Sequence, residues 1–360
     1  MSSTSENIAN LCISVIPSWN YLSPYSISFK PLSSMTNTVK AVFINDTSIV
    51  SKGIEPSKVI LRLYPNKPNR LVNRAKENAV FNYLADSGKG IKIYHCNPKY
   101  RIEEFFDGKK ITVEELHNKN LMKQIAKALF KYNQDKGLFE IISQFDTKTA
   151  FSERLLYKWK SILIREFKTY ECSLTTEQSR STLQKLKYLT TSEFEDEYKT
   201  LLQELSETEL VASHCDIHAK NMLRSIDNKE VILIDYEYTT VNYRAMDIAT
   251  LFIETAIDNE CEEFPFFEYK KKLKWSQEEL EFFVRSYLEY DTKPNNHLET
   301  KVSKLLREVR VAEPLVSALW AIWSLIIADW KNFDETKNWN LKYAELRFDM
   351  YQQSKNIATS

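Results

Sequence analysis

The sequence predicts an α+β fold of two lobes, a small β-rich N-terminal lobe followed by a large helical C-terminal lobe. Residues 25–64 contain short segments in which apolar and β-branched residues alternate, as they do in half-buried strands. Asp107 and Gly108 interrupt that pattern, and helical periodicity dominates from Thr112 onward. The expected organisation is an N-terminal extension (1–24), an N-terminal lobe (25–106) and a helical C-terminal lobe (107–360).

Composition restricts the class of protein before any motif is considered. The 360 residues are 43% hydrophobic, enough for a substantial core, and the formal net charge of zero argues against a nucleic-acid partner. The longest apolar run, Val316 to Ala328, is shorter than the roughly 20 residues that span a bilayer. Five dispersed cysteines without a C-x-x-C pair suit a reducing compartment. We therefore expect a cytoplasmic protein without stable membrane insertion.

Glycine usage excludes two common nucleotide-binding folds. The chain contains only five glycines, and neither G-x-G-x-x-G nor a Walker A motif occurs. Rossmann and P-loop folds both need such glycines where the backbone approaches phosphates. A nucleotide site in this chain must be built in another way.

Strands and one helix are predicted for the small lobe. Alternating apolar residues predict strands, and one longer segment between them has helical periodicity. The expected strands are 26–29, 39–44, 59–64, 91–95 and 102–106, and the expected helix is 70–86.

The large lobe is predicted to be mostly helical. Thr112 and Glu115 have the spacing of a capping box, which predicts a helix that begins there and runs to about Tyr132. Short strands are expected near 223 and at 231–235. Further helices are expected at 151–169, 176–189, 193–207, 243–258, 277–291, 298–308, 311–330 and 339–355.

One motif carries most of the functional information. His214 to Asn221 reads H-x-D-x-x-x-x-N, and Asp235 ends the apolar segment 231–235. In kinase-type sites the Asp of this motif orients a substrate hydroxyl, while the Asn and a later Asp hold magnesium on the ATP phosphates. The pattern predicts Asp216 and Asn221 as catalytic residues, and Asn221 and Asp235 as Mg²⁺ ligands. Phe-Gly does not follow Asp235, so a protein kinase is not expected.

A cation and a carboxylate in the small lobe are candidates for nucleotide binding. Arg62 lies mid-strand among apolar residues, where a kinase needs a cation to reach the phosphates. Glu77 in the following helix fits as its partner. An edge-strand Arg that faces solvent and a surface Glu would give the same pattern.

Two further segments are weaker candidates for the nucleotide site. Ser34 and Asn37 lie in a polar turn whose donors suit phosphate, although an ordinary turn is the simpler interpretation. Glu104 and Phe106 lie where the two lobes join in sequence, and an adenine ring needs apolar walls and backbone hydrogen bonds there. Together these residues extend the predicted ATP site.

Several segments, in order, resemble the choline/ethanolamine kinase family. The most specific is Ile234–Ala249, which reads IDYEYTTVNYRAMDIA. The resemblance covers about residues 25–355. The other matching segments are Ser34–Asn37, Ile60–Tyr64, Arg101–Phe105, His214–Asn221, Leu319–Ser324, Tyr343–Ala344 and Arg347–Asp349.

This resemblance implies a eukaryotic-protein-kinase-like fold and transfer of the ATP γ-phosphate to the hydroxyl of choline, with ethanolamine as the alternative acceptor. It implies that Asp216 is the catalytic base, that Arg62 binds phosphate and that Glu237 lies near a second Mg²⁺ ion. Phosphocholine would enter phosphatidylcholine synthesis by the CDP-choline route, and a homodimer is a further expectation. The implied substrate-binding residues are Tyr238, Glu254, Trp320, Trp323 and Tyr343.

An aromatic pocket is chemically suited to a quaternary ammonium group, which has no N–H to donate. Aromatic faces and a carboxylate hold such a cation, at up to about 2 kcal/mol for each desolvated contact. Trp320 and Trp323 share a helix face, but core residues of an apolar helix would show the same spacing. Departures from the family pattern at Thr250, Thr255 and Asn259 reduce the aromatic wall, which leaves the preference between choline and ethanolamine open.

Two other functions remain open on the sequence alone. A related kinase could phosphorylate an aminoglycoside or another small alcohol, although a polycation favours an acidic cleft over a tryptophan pair. A non-catalytic pseudokinase is the second alternative, but the intact set of Asp216, Asn221 and Asp235 argues against it.

Asp247 resembles the buried Asp that braces a kinase catalytic loop through hydrogen bonds.

Overall fold

The chain folds as two units that divide between Gly108 and Lys109. The first unit is built on an antiparallel sheet and the second is mainly helical, which confirms the predicted α+β class. The finer division at residues 24 and 106 stays a prediction. The computed structural model describes residues 5–32, 37–51, 53–64, 70–146, 149–227, 229–291 and 297–358.

The first unit contains a five-stranded antiparallel sheet in the order β1-β2-β3-β5-β4. Its strands are β1 (Ile27–Leu32), β2 (Thr38–Ile44), β3 (Lys58–Leu63), β4 (Ile93–Cys96) and β5 (Tyr100–Glu104). Its helices are α1 (Ser5–Val15), α2 (Thr47–Val50) and α3 (Arg74–Asp86).

The two faces of this sheet differ in chemistry. Leu61 on one face packs with Ile8 and Cys12 of α1 in a single buried hydrophobic cluster. The neighbouring residue Arg62 points to the other face, where its partner in the register of β5 is Arg101. Helix α1 is not among the elements predicted from the sequence, although its apolar residues recur at helical spacing. The apolar face is thus covered by α1, and charged residues occupy the other face.

The second unit is formed mostly by helices, with three small sheets in the orders β10-β7, β11-β12 and β6-β8-β9. Its strands are β6 (Gly108–Lys110), β7 (Leu210–Ser213), β8 (Met222–Ser225), β9 (Val231–Leu233), β10 (Thr240–Tyr243), β11 (Ile257–Asp258) and β12 (Glu268–Tyr269). Its helices are α4 (Lys119–Asn133), α5 (Lys136–Ser143), α6 (Phe151–Ser173), α7 (Glu177–Leu186), α8 (Ser192–Leu205), α9 (Arg244–Glu254), α10 (Gln277–Leu288), α11 (Leu298–Ile327) and α12 (Asn340–Ala358).

Helix α11 corrects the prediction of two helices at 298–308 and 311–330. The structure has one continuous helix, Leu298–Ile327, with Pro314 inside it. A proline removes one backbone hydrogen bond, but burial against α6, α8, α9, α10 and α12 supports the helix on several sides. Helix α11 is long and apolar enough to cross a bilayer, yet 83% of its most apolar 18-residue window is buried within the protein. It is the central helix of this unit.

The predicted capping box forms, but it does not begin a long helix. The Thr112 backbone N–H donates to the Glu115 carboxylate at 3.0 Å, and the Glu115 N–H donates to Thr112 Oγ1 at 3.4 Å. These bonds close a short 3₁₀ turn at Glu114–His117. Helix α4 then begins at Lys119, because the Asn118 side chain caps the next free N–H groups. The expected single helix is therefore two elements.

Candidate active site

A β-hairpin brings the two halves of the H-x-D-x-x-x-x-N…D pattern together. Strands β8 and β9 pair antiparallel, with Met222 opposite Leu233. Just outside this pairing, the Ile234 N–H donates to the Asn221 carbonyl oxygen at 2.9 Å. Asp235 therefore follows a residue that is hydrogen-bonded to Asn221, and the two predicted Mg²⁺ ligands leave the hairpin at the same end.

Two residues of this site have backbone angles in the left-handed region. Cys215 has a φ of 65° and Asp235 a φ of 67°. A residue with a Cβ pays roughly 1–2 kcal/mol for this conformation, so surrounding contacts must hold it. Cys215 lies directly before Asp216, and Asp235 is itself the predicted metal ligand. The backbone conformation at these two positions therefore determines the direction of the Asp216 and Asp235 carboxylates.

Asp247 provides contacts that hold the loop leading into Asp216. Its buried carboxylate accepts hydrogen bonds from Ser213 Oγ at 2.8 Å, the His214 N–H at 3.0 Å and the Cys215 N–H at 2.8 Å. A fourth donor is Asn133 Nδ2 at 2.8 Å. These contacts agree with the bracing role that the sequence suggested for Asp247.

His214 also supports the loop from within the core. It is fully buried, and its Nε2 donates to the Ile234 carbonyl oxygen at 3.0 Å. Its ring packs against both Tyr132 and Tyr236, with centroid distances of 5.7 and 5.8 Å, and these two tyrosines also stack on each other at 5.9 Å. The contacts of His214 thus tie the loop to the segment that leads into Asp235.

Asp216 and Asn221 are in direct contact. Asn221 Nδ2 donates to the Asp216 backbone carbonyl at 2.8 Å and to its Oδ2 at 3.0 Å. Burial raises the pKa of Asp216 to about 6 and the Asp235 carboxylate adds to the rise, whereas His214 and the Asn221 hydrogen bond oppose it. Asp216 is therefore a carboxylate whose pKa lies close to neutral pH.

His218 is a neighbour of Asp216 that the sequence did not assign to the site. Its Nε2 lies 3.6 Å from Asp216 Oδ1. Burial lowers the pKa of His218 to about 4, and the Lys220 cation lowers it further. The imidazole is consequently neutral at physiological pH, and it adds no positive charge beside Asp216.

The oxygen donors present suit magnesium carried with a nucleotide. Because Asn221 Nδ2 faces Asp216, its Oδ1 faces the other way, and Asp235 supplies a carboxylate within electrostatic reach of Asp216. In the described residues no group of three or more His, Cys, Asp or Glu side chains has a metal-binding arrangement. Mg²⁺ needs few protein ligands when phosphates and waters complete its shell. The donors therefore fit Mg²⁺ with ATP, and Glu237 is buried close by in sequence.

In the first unit a chain of alternating charges surrounds Arg62. Arg62 Nη2 lies 3.3 Å from Glu103 Oε1, and Arg101 Nε lies 2.9 Å from Glu103 Oε2. Arg101 Nη1 then lies 3.2 Å from Glu77 Oε1, and Arg74 also pairs with Glu77. Arg62 and Glu77 are thus linked through Arg101 and Glu103. Both lie in the Arg101–Phe105 segment that resembles the family, but neither was predicted as a site residue.

Burial of this network rules out the simpler interpretation of Arg62 and Glu77. Arg62 is 8% exposed in a strand with neighbours on both sides, and Glu77 is 1% exposed. An edge-strand Arg facing solvent and a surface Glu are therefore wrong for this chain. Their roles in binding a nucleotide stay predictions.

The four weaker candidates for nucleotide binding lie at different places in the chain. Asn37 Oδ1 accepts a hydrogen bond from Arg74 Nη2 at 3.4 Å, which connects it to the charged network. Glu104 ends β5, and Phe106 follows it as a half-buried residue. Ser34 lies outside the described residues.

The four predicted aromatic substrate residues belong to one cluster in the second unit. Trp323 Nε1 donates to the Tyr238 hydroxyl at 2.8 Å, and the Trp320 ring lies 5.5 Å from Tyr238 and 4.9 Å from Trp323. Trp339, which the sequence analysis missed, lies 6.1 Å from Trp323 and 5.5 Å from Tyr343. The four predicted side chains are only 5–7% exposed, so they form part of the core as well as one continuous aromatic surface.

Glu254 lies at the end of α9 beside this cluster. It is 3% exposed, and Arg347 Nη2 donates both to its Oε1 and to the Tyr343 hydroxyl. Asn259 Nδ2 donates to the other carboxylate oxygen at 3.2 Å. Burial lowers the pKa of Arg347 to about 9, and the Asp216 carboxylate opposes the shift, so Arg347 remains a cation near the predicted base.

Comparison with known proteins identifies the family. A family model described as choline/ethanolamine kinase matches residues 30–352. The chain belongs to the choline/ethanolamine kinase family. It is 27% identical over 355 residues to the choline/ethanolamine kinase of Homo sapiens, which covers 95% of this chain and 84% of the relative.

Solved structures support the fold of this family member. A choline kinase from Cryptosporidium parvum matches with a TM-score of 0.79 at 23% identity, covering 98% of this chain and 96% of that one. An ethanolamine kinase from Plasmodium vivax matches with a TM-score of 0.73 at 22% identity, covering 97% and 90%. These likenesses confirm the eukaryotic-protein-kinase-like fold.

Family membership establishes the reaction type but not the acceptor. The protein is a kinase that phosphorylates an alcohol, and its family supports ATP as the donor. The matching proteins include both choline kinases and ethanolamine kinases. The choice between the two acceptors therefore rests on the chemistry of the site.

Proposed function

We propose that this family member transfers the γ-phosphate of Mg-ATP to the hydroxyl of choline, giving phosphocholine for the CDP-choline route to phosphatidylcholine. The observation that carries the proposal is the aromatic cluster beside Glu254. Tyr238, Trp320 and Trp323 contact one another, and Tyr343 joins the cluster to Arg347 and Glu254. Aromatic faces and one carboxylate are the groups that hold a cation without N–H donors.

Asp216 acts as the base in this proposal. A general base works best when its pKa lies near the operating pH, and the pKa of Asp216 is raised to about 6. Asn221 holds its carboxylate through Oδ2, which leaves Oδ1 to accept the hydrogen bond of the substrate hydroxyl. Aligning that oxygen for in-line transfer supplies much of the rate enhancement expected for a phosphotransferase.

The remaining predicted roles concern the nucleotide. When bound, Mg²⁺ supplies neutralisation of the charge on the phosphates, and Asn221 and Asp235 would hold it, with Glu237 near a second ion. Arg62 contacts the phosphates, and Glu103 fixes its guanidinium group. Glu77 acts through Arg101 in the same network.

The test is ADP release from Mg-ATP with choline and ethanolamine side by side, with Asp216→Asn as the blank. Choline turnover well above that of ethanolamine is the expected result. If a protein that melts cooperatively releases no ADP with either acceptor, the proposed substrate is wrong, although membership of the family is unaffected.

Ethanolamine is the second candidate because the surroundings of Glu254 are partly polar. The Asn259 side chain donates a hydrogen bond to the Glu254 carboxylate. The Tyr343 hydroxyl accepts one from Arg347 Nη2, which also donates to Glu254. A primary ammonium group can donate three N–H bonds to such acceptors, and a quaternary one cannot. A higher kcat/KM for ethanolamine would show that these polar groups outweigh the aromatic surface.

The assembly and location are also proposed rather than established. We infer a cytoplasmic homodimer from the family. Sedimentation of the purified protein tests the dimer, and a fluorescent fusion tests the location. A monomer, or a protein that is bound to membranes, would overturn the respective part.

A further inference from the structure

The Arg347 side chain is unusual among the buried charges of the second unit. It is fully buried, and only its Nη2 group has hydrogen-bond partners, which are Glu254 and Tyr343. Its Nε and Nη1 groups are buried without a hydrogen-bond partner among the described residues. Buried donors that lack an acceptor are costly, so Arg347 is not placed for the best hydrogen bonding.

Stability alone does not account for such an ion pair. Burying two charges costs desolvation energy, and apolar replacements of a buried pair are often as stable as the pair or more so. A half-buried pair in the same unit is better satisfied. Arg244 donates to both oxygens of Glu308, at 3.1 Å from Nε and 3.3 Å from Nη2. The Arg347–Glu254 pair therefore calls for an explanation other than stability.

Its position supplies that explanation. Glu254 is the carboxylate that the proposed function assigns to the substrate cation, and at 3% exposure it would be strongly disfavoured as an isolated anion. Arg347 compensates that charge from one side and fixes the orientation of the carboxylate together with Asn259. The Arg347 guanidinium also lies 4.9 Å from the centre of the Tyr343 ring and donates to its hydroxyl at 2.5 Å.

We propose that Arg347 is a positioning residue that determines specificity for cationic acceptors. It keeps Glu254 ionised and correctly oriented, and Glu254 presents that charge to the ammonium group. This inference rests on the proposed function, because it assumes that Glu254 faces the substrate. Arg347 hydrogen-bonds Glu254 and Tyr343, and its charge also acts on Asp216. Its effect on binding of the cation runs through Glu254, and this effect is separated from any effect on Asp216 by comparing a charged with a neutral acceptor.

Two consequences separate this role from simple support of the fold. Loss of Arg347 weakens binding of a charged acceptor, but it hardly changes binding of a neutral alcohol of the same shape. Arg347 acts through Glu254, so its effect disappears once the carboxylate has been removed. Side chains that act through one contact are non-additive in this way.

The experiment compares Arg347→Met, Arg347→Lys, Glu254→Gln and the double variant Arg347→Met/Glu254→Gln. Each is tested for ADP release with choline and with its neutral isostere, in which carbon replaces the nitrogen. We expect Arg347→Met to raise KM for choline by about tenfold or more, as for other buried charge pairs. Any change in kcat that arises through Asp216 should be the same for choline and the isostere. KM for the isostere stays essentially unchanged, Arg347→Lys partly restores choline binding, and the double variant matches Glu254→Gln.

Arg244→Met is the matched control, since it breaks a half-buried Arg–Glu pair that begins on the same helix, α9. It should lower the melting temperature and leave the ratio of the two KM values unchanged. If Arg347→Met does not fold, the double variant and Arg347→Lys still test the inference, because neither leaves an uncompensated buried charge. Equal increases in KM for choline and the isostere, or additive effects in the double variant, would overturn it.

Failure of the proposed function gives a different result. If wild-type protein phosphorylates ethanolamine and not choline, the proposed acceptor is wrong, and the same comparison is made with ethanolamine and propanol. If neither is phosphorylated, calorimetric binding of choline and its isostere replaces KM. Binding of choline that Arg347→Met does not weaken would then refute the role of Arg347 by itself.

Discussion

Buried carboxylates in the two units of this protein have opposite surroundings. In the first unit, Glu103 lies between Arg62 and Arg101, and although burial favours protonation, these two cations hold its pKa below the usual range. In the second unit, burial and the nearby Asp235 raise the pKa of Asp216 to about 6. The first arrangement is satisfied within the protein and fixes geometry. The second concentrates negative charge, which suits a site that receives cations and a hydroxyl proton.

The largest expected effect is the loss of turnover on removing Asp216 or Asp235, the neighbouring carboxylates of the second unit. Asp216→Ala should lower kcat by about 10²–10⁴-fold, the usual contribution of a positioned general base, and Asp235→Ala should do the same or more if it holds Mg²⁺. ADP release measures both. Cooperative melting near the wild-type temperature is the control for folding. Wild-type turnover in either variant would show that its assigned role is wrong.

Glu103→Gln should have the next largest effect, and it should act on stability. The change leaves Arg62 and Arg101 close together without the anion between them, and breaking a buried pair in this way costs about 3–5 kcal/mol. Chemical denaturation measures the free energy of unfolding. Glu114→Gln is the control, because Glu114 pairs with Lys270 at the surface, where such a pair contributes about 1 kcal/mol or less. Equal losses in the two variants would refute the comparison between the units.

Asp216→Asn should have the opposite effect on stability. The pKa of Asp216 is higher in the folded protein than its ordinary value of 3.8, so ionisation of this group disfavours the folded state. The wild type therefore loses stability as the pH rises from about 4 to 6, and the Asn variant does not. We expect the variant to be more stable by on the order of 1–3 kcal/mol above pH 6, and equal to the wild type below pH 4.

Melting in EDTA across this pH range tests that prediction, because bound metal would change the charge at the site. Asp227→Asn is the control, because Asp227 is an exposed turn residue whose pKa is lowered by hydrogen bonds from Ser225 and Lys229, so its neutralisation should not stabilise the protein above pH 6. A gain in stability that is independent of pH would contradict the explanation from ionisation.

The proximity of the predicted catalytic residues could be inferred from sequence because kinase-type chemistry fixes their spacing. A short loop and a hairpin separate Asp216, Asn221 and Asp235, so a local motif is enough to place them near one another. The aromatic set was found through family resemblance, since helical spacing alone also fits a core helix. The clustering of Tyr238 with Trp320 and Trp323 agrees with that expectation. Whether these side chains bind substrate stays a prediction.

The residues that hold those groups were harder to predict. Arg347 contacts Glu254 from α12, which is far from α9 in the sequence, and Glu103 contacts Arg62 because of the register between β3 and β5. Neither contact has a signature in local sequence. The continuity of α11 through Pro314 was missed for a related reason, because the local preference of proline is outweighed by burial on several sides. Sequence patterns report local chemistry, whereas these features depend on tertiary packing.

Tyr238→Phe should have the smallest effect, and it tests whether the pH sensitivity of the second unit comes from its carboxylates. The Tyr238 hydroxyl accepts a hydrogen bond from Trp323 Nε1 at 2.8 Å, and its removal leaves a buried N–H without that acceptor. The expected loss of stability is about 1–2 kcal/mol. Burial raises the pKa of Tyr238 well above its usual value, so the hydroxyl is neutral throughout the accessible range. The loss should therefore be the same at pH 5 and pH 8, in contrast to Asp216→Asn. A loss that varied between these pH values would mean that the aromatic cluster is coupled to the ionisation of Asp216, and that the charged and aromatic parts of the site cannot be treated separately.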